Sequence, residues 1–274
     1  MAQRIPDLRA KMQERGLDAL LVTHPSNRFY LSGFTFGDIP PNESAGCLLI
    51  TGDRSYLVTG PTNLPAARAQ AVGFEVVPRG KALPTTLADL LREGGVRRLG
   101  FEENATLVSL YRALEEATAG DNGRRVDFVP VGELVSELRL IKSEDELAKI
   151  GRAARITDEA FESVARQLRP EQTERAIAWA LELAMRERGA EGLAFPTIVA
   201  SGPHGASPHH EVTDRPVGEG LPITIDMGAR VAGYSADLTR TVILGEPDLR
   251  AREVYGTTLA ALEAAEAGIR AGMT

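Results

Sequence analysis

The chain has 274 residues, 43% of them hydrophobic, so it can bury a sizeable core and is long enough for two domains. Its net charge of −7 and its pI near 5.3 give no reason to expect nucleic acid or an anionic membrane as a partner. The single cysteine excludes an internal disulfide, and the reducing cytoplasm is the expected compartment.

The first half of the chain alternates helix and strand signals. Apolar residues at spacings of three and four predict a first helix that ends at Gly16, and Gly52-Asp53-Arg54 between two β-rich runs predicts a hairpin. Further strands are predicted at 19–22, 74–77, 98–101 and 127–129, and further helices at 28–31, 64–72, 85–93 and 106–118. This order predicts an α/β domain with a mixed sheet.

This half shows no candidate catalytic or cofactor motif. It has no phosphate-binding glycine loop and no metal-ligand cluster, and His24 beside a turn is interpreted as structural. Residues 1–16 are charged throughout, without the apolar core of an export signal, and no segment reaches the roughly 20 apolar residues that span a bilayer.

Long amphipathic helices replace the alternation in the second half. Ser143 and Glu146 form a predicted capping box at the start of the first of these helices. A second helix is predicted over residues 173–188. The change of pattern predicts two domains, 1–138 and 139–274.

Two carboxylates then lie on what the sequence predicts to be one β-hairpin. Asp226 and Asp237 belong to neighbouring β-rich runs that are separated by a stretch with two glycines. A turn centred on Val231 and Ala232 would place the two carboxylates directly opposite each other. With Cβ atoms about 5 Å apart, they would repel by about 3 kcal/mol at an effective dielectric constant near 20. A cation or a shared proton is therefore expected between them.

Three arrangements would relieve this repulsion. A divalent metal is favoured, because carboxylate oxygens are hard ligands that can chelate or bridge ions. The second arrangement is an aspartic dyad that shares one proton. In the third, Arg230 or Arg240 forms a structural salt bridge with one or both aspartates.

Several ordered motifs in this chain together resemble the creatinase/aminopeptidase P/prolidase group. Matches that occur together in order are far more specific than any one of them. The motifs are Phe195–Gly202, Pro208-His209, Thr213–Pro216, Ile225–Gly228 and Gly233–Thr241, preceded by the connecting segment Arg139–Leu147. The resemblance implies an N-terminal creatinase-like α/β domain followed by a catalytic domain with the "pita-bread" fold.

The resemblance also implies the roles of individual residues. Asp226 matches a ligand of one metal ion, and Asp237 matches the carboxylate that bridges two divalent ions of manganese, cobalt or zinc. His209 matches the active-site histidine that steadies the tetrahedral intermediate. Apart from the resemblance, Thr239 lies two residues after Asp237 and so on the same strand face; it is a candidate hydrogen-bond donor to a ligand carboxylate, or simply a residue that suits a strand.

The implied reaction is metal-dependent hydrolysis of the Xaa-Pro bond in dipeptides or short peptides, by a homodimer. Two ions would lower the pKa of a shared water towards neutrality. Phe195 and His210 are candidate substrate contacts. His204 and His210 are otherwise expected to be exposed loop residues.

The chain departs from the family pattern at its C-terminal end. The family's other three ligands are a histidine and two glutamates beyond the hairpin, whereas all four histidines here precede Asp226 and the sequence given ends at Thr274. Glu263 and Glu266 are interpreted as solvated helix residues. We expect an incomplete catalytic domain whose missing part lies on a longer chain or a second polypeptide, or a protein that has lost hydrolysis. The alternative functions are a noncatalytic binding protein of the same fold and a metal-free, creatinase-like amidinohydrolase.

Overall fold

The computed structural model describes residues 3–34, 44–119 and 125–273 of the chain. The chain forms two compact units, residues 1–141 and 142–274. Mixed α/β structure is present, as the sequence predicts.

The first unit is built around a six-stranded mixed sheet. Its strands are β1 (Ala19–Val22), β2 (Gly46–Thr51), β3 (Ser55–Thr59), β4 (Glu75–Pro78), β5 (Arg98–Phe101) and β6 (Asp127–Pro130). Its helices are α1 (Arg4–Glu14), α2 (Pro25–Ser32), α3 (Leu64–Gln70), α4 (Leu83–Glu93), α5 (Val108–Thr118) and α6 (Leu134–Leu140), with a short 3-10 helix at Pro61–Asn63. The strand order is β4-β3-β2-β1-β5-β6, and the predicted hairpin is the antiparallel pair β2–β3.

Both faces of this sheet are buried, which explains the continuous apolar sequence of its central strand. In β1, Leu20 and Val22 pack in a cluster with Leu8 of α1. The alternate residues Ala19 and Leu21 pack in a second cluster, which contains apolar side chains of α4 and α5. The helices therefore lie on both faces of the sheet.

His24 has a structural contact in this unit, as expected. It occupies the N-cap position of α2, and its Nδ1 atom accepts a hydrogen bond of 3.2 Å from the Ser26 N–H. Such a bond satisfies one of the amide groups that the first turn of a helix leaves unpaired.

The second unit combines three helices with two small sheets. Its helices are α7 (Glu144–Ala165), α8 (Glu174–Glu187) and α9 (Leu249–Gly268), with a 3-10 helix at Gly202–Ala206. Its strands are β7 (Gly192–Leu193), β8 (Ile198–Ser201), β9 (Pro222–Met227), β10 (Ala229–Val231), β11 (Tyr234–Ser235) and β12 (Leu238–Ile243). The strand orders are β11-β10-β7 and β12-β9-β8.

The alternation of β9 separates a core face from a polar face. Ile223, Ile225 and Met227 are buried in the apolar cluster that α7 and α8 also line. Asp226 and Thr224 are only partly buried and point to the other side, because successive side chains of a strand alternate. The hydrophobic core thus holds the strand that presents Asp226.

The ends of the helices agree with the sequence signals where those signals are local. The Ser143–Glu146 capping box is present at the start of α7. Along α9 no described residue is buried, and Glu263 and Glu266 are exposed, as expected.

A buried threonine ties α7 to the start of β10. The Thr157 hydroxyl donates to the Ala153 carbonyl at 2.9 Å and accepts a hydrogen bond of 3.0 Å from the Ala229 N–H. Thr157 is 1% exposed, so water cannot replace it as a partner.

Replacing Thr157 by valine is expected to lower the free energy of unfolding of the second unit by about 1–3 kcal/mol, because the Ala229 N–H stays buried and unpaired. Thr157→Ser keeps the hydroxyl and should lose less. Urea unfolding followed by fluorescence of Trp179, the single tryptophan of the chain, measures both variants. Equal losses for the valine and serine variants would contradict the expectation.

Candidate metal centre

Asp226 lies at the centre of a three-stranded sheet. The register places Asp226 opposite Thr239 of β12 and opposite Ile198 of β8. Asp237 lies just before β12, where the same register continues through the 2.9 Å bond from the Ala236 N–H to the Ala229 carbonyl. Asp237 therefore falls opposite Gly228.

The predicted direct pairing of Asp226 with Asp237 is wrong. Val231 pairs with Tyr234, so the two-residue turn is Ala232-Gly233 rather than Val231-Ala232. Both turn residues have positive φ, 49° and 78°, as the type I′ turns that suit hairpins require. Moving the turn by one residue shifts the pairing by two, which leaves each side chain on its original face.

Gly228 is not part of the turn, although it is one of the two glycines in the stretch between the β-rich runs. A Cβ atom at this position would overlap the carbonyl group of Ala236. The missing side chain lets the segment before β12 approach the end of β9. The glycine therefore serves a close approach of two backbones rather than the chain reversal.

One carboxylate oxygen of Asp226 is buried without a partner. Its Oδ1 atom has no hydrogen-bond partner in the described part of the chain. Burial raises the pKa of Asp226, a hydrogen bond from Thr239 lowers it, and the charge of Asp237 raises it again. The net direction is upward, so the site favours either a proton or a cation at this carboxylate.

The two arginines considered as salt-bridge partners are engaged elsewhere. Arg230 pairs with Glu191 at 3.0 Å, and Arg240 donates to the Thr239 carbonyl at 2.8 Å. Among the ion pairs of the described residues, neither arginine neutralises Asp226 or Asp237. An unpartnered carboxylate oxygen beside a second carboxylate fits a divalent ion, because such ions prefer hard oxygen ligands.

Glu174, on the first turn of α8, forms a second polar cluster with two histidines. The His204 Nδ1 atom lies 2.8 Å from Oε1 of Glu174, and the His210 Nε2 atom lies 2.9 Å from Oε2. The prediction that His204 and His210 are exposed is therefore wrong, since their side chains are 29% and 12% exposed. Whether His210 contacts substrate stays a prediction. His209 is exposed and Phe195 is partly buried.

Ser201 and Thr213 complete the hydrogen bonds of Glu174. Its Oε1 atom accepts from the Ser201 N–H at 2.9 Å, and its Oε2 atom accepts from the N–H and the hydroxyl of Thr213 at 3.1 Å and 2.7 Å. Burial alone would raise the pKa of Glu174, but the bonds from Ser201, His210, Thr213 and His204 outweigh it and lower the pKa to about 2.

Sequence reasoning missed Glu174, because an acidic residue in the first turn of a helix is ordinary. The ligand atoms of Glu174, His204 and His210 lie within 4.8 Å of one another, close enough for a metal ion. The direct hydrogen bonds instead occupy both oxygens of the carboxylate. The cluster therefore satisfies the Glu174 carboxylate with hydrogen bonds from the protein itself.

Comparison with models of known protein families identifies the family to which this chain belongs. The family model described as metallopeptidase family M24 matches residues 148–274, and the Creatinase/Prolidase N-terminal domain model matches residues 4–141. The chain belongs to metallopeptidase family M24. Both the family resemblance and the fold class predicted from the sequence are confirmed.

Individual relatives of the M24 chain agree with this assignment. It is 36% identical over 271 residues to "Uncharacterized peptidase YqhT" of Bacillus subtilis, covering 99% of this chain and 73% of the relative. The structure of an Xaa-Pro dipeptidase from Bacillus anthracis matches with a TM-score of 0.88 at 35% identity, covering 100% of this chain and 73% of that one. An X-Pro aminopeptidase from Thermotoga maritima matches with a TM-score of 0.76 at 34% identity, covering 90% and 68%.

Every helix within residues 3–34, 44–119 and 125–273 is too short or too polar to cross a membrane.

Gly228→Ala is expected to destabilise the second unit by about 1–3 kcal/mol, because the new methyl group forces the Ala236 carbonyl away from β9. Gly256→Ala is the matched control. It lies on the exposed helix α9 with no atom within 4 Å of the added Cβ, so it should be neutral or stabilising by up to about 1 kcal/mol. Urea unfolding monitored by Trp179 fluorescence compares the two, and a loss in both would count against the steric explanation.

The stability contributed by Glu174 is expected to depend on pH. A carboxyl whose pKa is lowered on folding stabilises the folded state above its ordinary pKa of 4.5, and this contribution is lost as the pH falls towards about 2. Between pH 7 and pH 3 the unmodified chain should lose about 2 kcal/mol more unfolding free energy than Glu174→Gln. The same urea titration at both pH values measures this difference, and parallel losses in the two proteins would exclude it.

Proposed function

We propose that this chain hydrolyses the peptide bond before proline in Xaa-Pro dipeptides or short peptides, with metal held by Asp226 and Asp237. The observation that carries the proposal is the buried, unpartnered Oδ1 atom of Asp226, within the described residues of an M24 domain. Relatives named Xaa-Pro dipeptidase and X-Pro aminopeptidase support the substrate class.

The proposed cofactor is a pair of manganese, cobalt or zinc ions. Asp226 and Asp237 would be the carboxylates of this chain that hold them. Divalent metal at these carboxylates supplies Lewis acidity towards the scissile carbonyl and a water of lowered pKa. Two carboxylates fill only part of a coordination shell, so further protein or water donors belong to the complete site.

The remaining roles fall to residues around the hairpin. The hydroxyl of Thr239 donates to Asp226 and orients this carboxylate for metal. The exposed imidazole of His209 would donate to the oxyanion that develops on the scissile carbonyl. Phe195 and His210 are proposed to contact the substrate. Because Nε2 of His210 is bonded to Glu174 and one face of its ring packs on His204, its Nδ1 atom and the opposite ring face are the parts left for that contact.

The proposal extends to the setting in which the chain acts. We propose a homodimer in the cytoplasm that acts on proline-containing peptides, with neither nucleic acid nor a membrane as a partner. The net charge of −7 and the single, buried cysteine are consistent with this setting.

Asp226→Asn and Asp237→Asn test the proposal. Each variant should lower Mn²⁺ affinity at least about tenfold, since even a residue that only supports a metal ligand is worth that much. Each should lower hydrolysis of the dipeptide Ala-Pro by about 100-fold or more, because charge stabilisation in the transition state is lost. Titration calorimetry with Mn²⁺ and a proline-release assay measure the two effects.

Asp158→Asn is the matched control, because Asp158 is an exposed carboxylate on α7. It should leave both quantities unchanged. Mn²⁺ binding that survives both hairpin substitutions would remove the metal centre, and metal-free hydrolysis of an amidino compound, with no hydrolysis of Ala-Pro, would favour the amidinohydrolase-like alternative. Tight peptide binding without turnover in the presence of Mn²⁺, Co²⁺ and Zn²⁺ would favour the noncatalytic one.

A further inference from the structure

The segment that carries His209 is closed by a single buried carboxylate. Glu174 is 0% exposed and accepts hydrogen bonds from the Ser201 N–H at one end of the segment and from the N–H and hydroxyl of Thr213 at the other. Residues 202–212 therefore form a loop whose two ends meet on one side chain. We call this segment the histidine loop.

Two side chains inside the histidine loop bind the same carboxylate. His204 and His210 each contact one oxygen of Glu174, at 2.8 Å and 2.9 Å, and their rings pack with centroids 4.3 Å apart at 32°. His210 directly follows His209 in the chain. The contact of His210 with Glu174, in the first turn of α8, thus holds the backbone next to His209. The His209 side chain itself is exposed.

The ionisation of Glu174 determines the tautomers of both rings. With a pKa of about 2 the carboxylate is charged at neutral pH and can only accept hydrogen bonds. His204 must therefore carry a proton on Nδ1, and His210 must carry one on Nε2. Five donors share the two oxygens, so a metal ion could bind there only by displacing them.

The histidine loop lies over the polar face of β9. A Cβ atom on Gly205 would lie 3.6 Å from the Thr224 hydroxyl oxygen. Thr224 precedes Asp226 by two residues, so both side chains point to the same side of the strand. The loop that Glu174 closes is therefore on the side of the sheet that presents Asp226.

We propose that Glu174 is a positioning residue for the reaction: by holding both ends of the histidine loop and the two imidazoles within it, it places His209 for the chemical step. This inference rests on the proposed function. Glu174 touches neither substrate nor metal in this role. Its effect reaches the reaction through His209.

A spectroscopic experiment tests whether Glu174 holds the histidine loop, and it does not require activity. The full chain, labelled with ¹⁵N-histidine, is compared with Glu174→Gln, and Glu171→Gln serves as control because Glu171 is an exposed carboxylate three residues earlier. Single His→Gln variants assign the four imidazoles. We expect His204 as the Nδ1–H tautomer and His210 as the Nε2–H tautomer in the unmodified chain and in the control.

In Glu174→Gln the two tautomers should become mixed, and the His209 signals should shift or broaden because the loop is released. Unchanged His209 signals in this variant would overturn the proposal, as would opposite tautomers for His204 and His210. Zn²⁺ that binds stoichiometrically at this cluster without loss of Ala-Pro hydrolysis would also overturn it.

A kinetic experiment tests the link to His209. With Mn²⁺ and Ala-Pro, Glu174→Gln should lower kcat by about tenfold or more, because misplacement of a reacting group is costly, and should change KM by less than about twofold. In a His209→Asn background the same substitution should cause no further loss. A further loss of equal size would show that Glu174 acts independently of His209.

Thr213→Val covers the case in which Glu174→Gln does not fold. It removes the hydroxyl that donates to Glu174 and accepts from the Arg215 N–H at 3.2 Å, whereas Thr213→Ser retains this hydroxyl. The valine variant should lower kcat by a smaller factor than Glu174→Gln does. Equal kcat values for Thr213→Val and Thr213→Ser would count against a positioning role of Glu174. If the unmodified chain does not hydrolyse Ala-Pro, the proposed function fails, while the histidine signals still decide whether Glu174 holds the loop.

Discussion

The antiparallel pairing of β9 with β8 and β12 is the constraint on which the candidate metal centre depends. Its alternation puts Ile223, Ile225 and Met227 into the core that α7 and α8 cover, and this burial holds the strand in register. Asp226 then has to face the other side. A slip by one residue would bury the carboxylate in the apolar cluster, at a cost of several kcal/mol for an uncompensated charge.

Two carboxylates of the second unit, the buried Glu174 and the partly buried Asp226, show opposite responses to desolvation. Glu174 is surrounded by donors, and its pKa is held near 2. Asp226 has one oxygen without a partner among the described residues, and its pKa is raised by burial and by the charge of Asp237. The first arrangement is complete within the protein. The unpartnered oxygen of Asp226 is a local inconsistency of the kind that functional sites tolerate.

Most elements of the first unit and the long helices α7 and α8 of the second were predicted from local patterns, whereas α6 was not. The buried strands Ala19–Val22 and Arg98–Phe101 and the capping box at Ser143 depend on neighbouring residues, so that composition and spacing were enough to predict them. The two β-rich runs and the glycines between them likewise located the hairpin that bears Asp226 and Asp237, and the order of motifs along the chain identified the family.

Sequence by itself thus determined the fold class, the family and the two aspartates worth testing. Only the tertiary structure decided the register of the hairpin and the surroundings of the histidines. The stretch between the β-rich runs holds two glycines, and the turn uses Gly233. Gly228 instead lies against the Ala236 carbonyl, in a contact between strands that the local sequence does not show. The donors that meet on Glu174 come from residues 27 to 39 positions further along the chain, and no local pattern encodes that convergence.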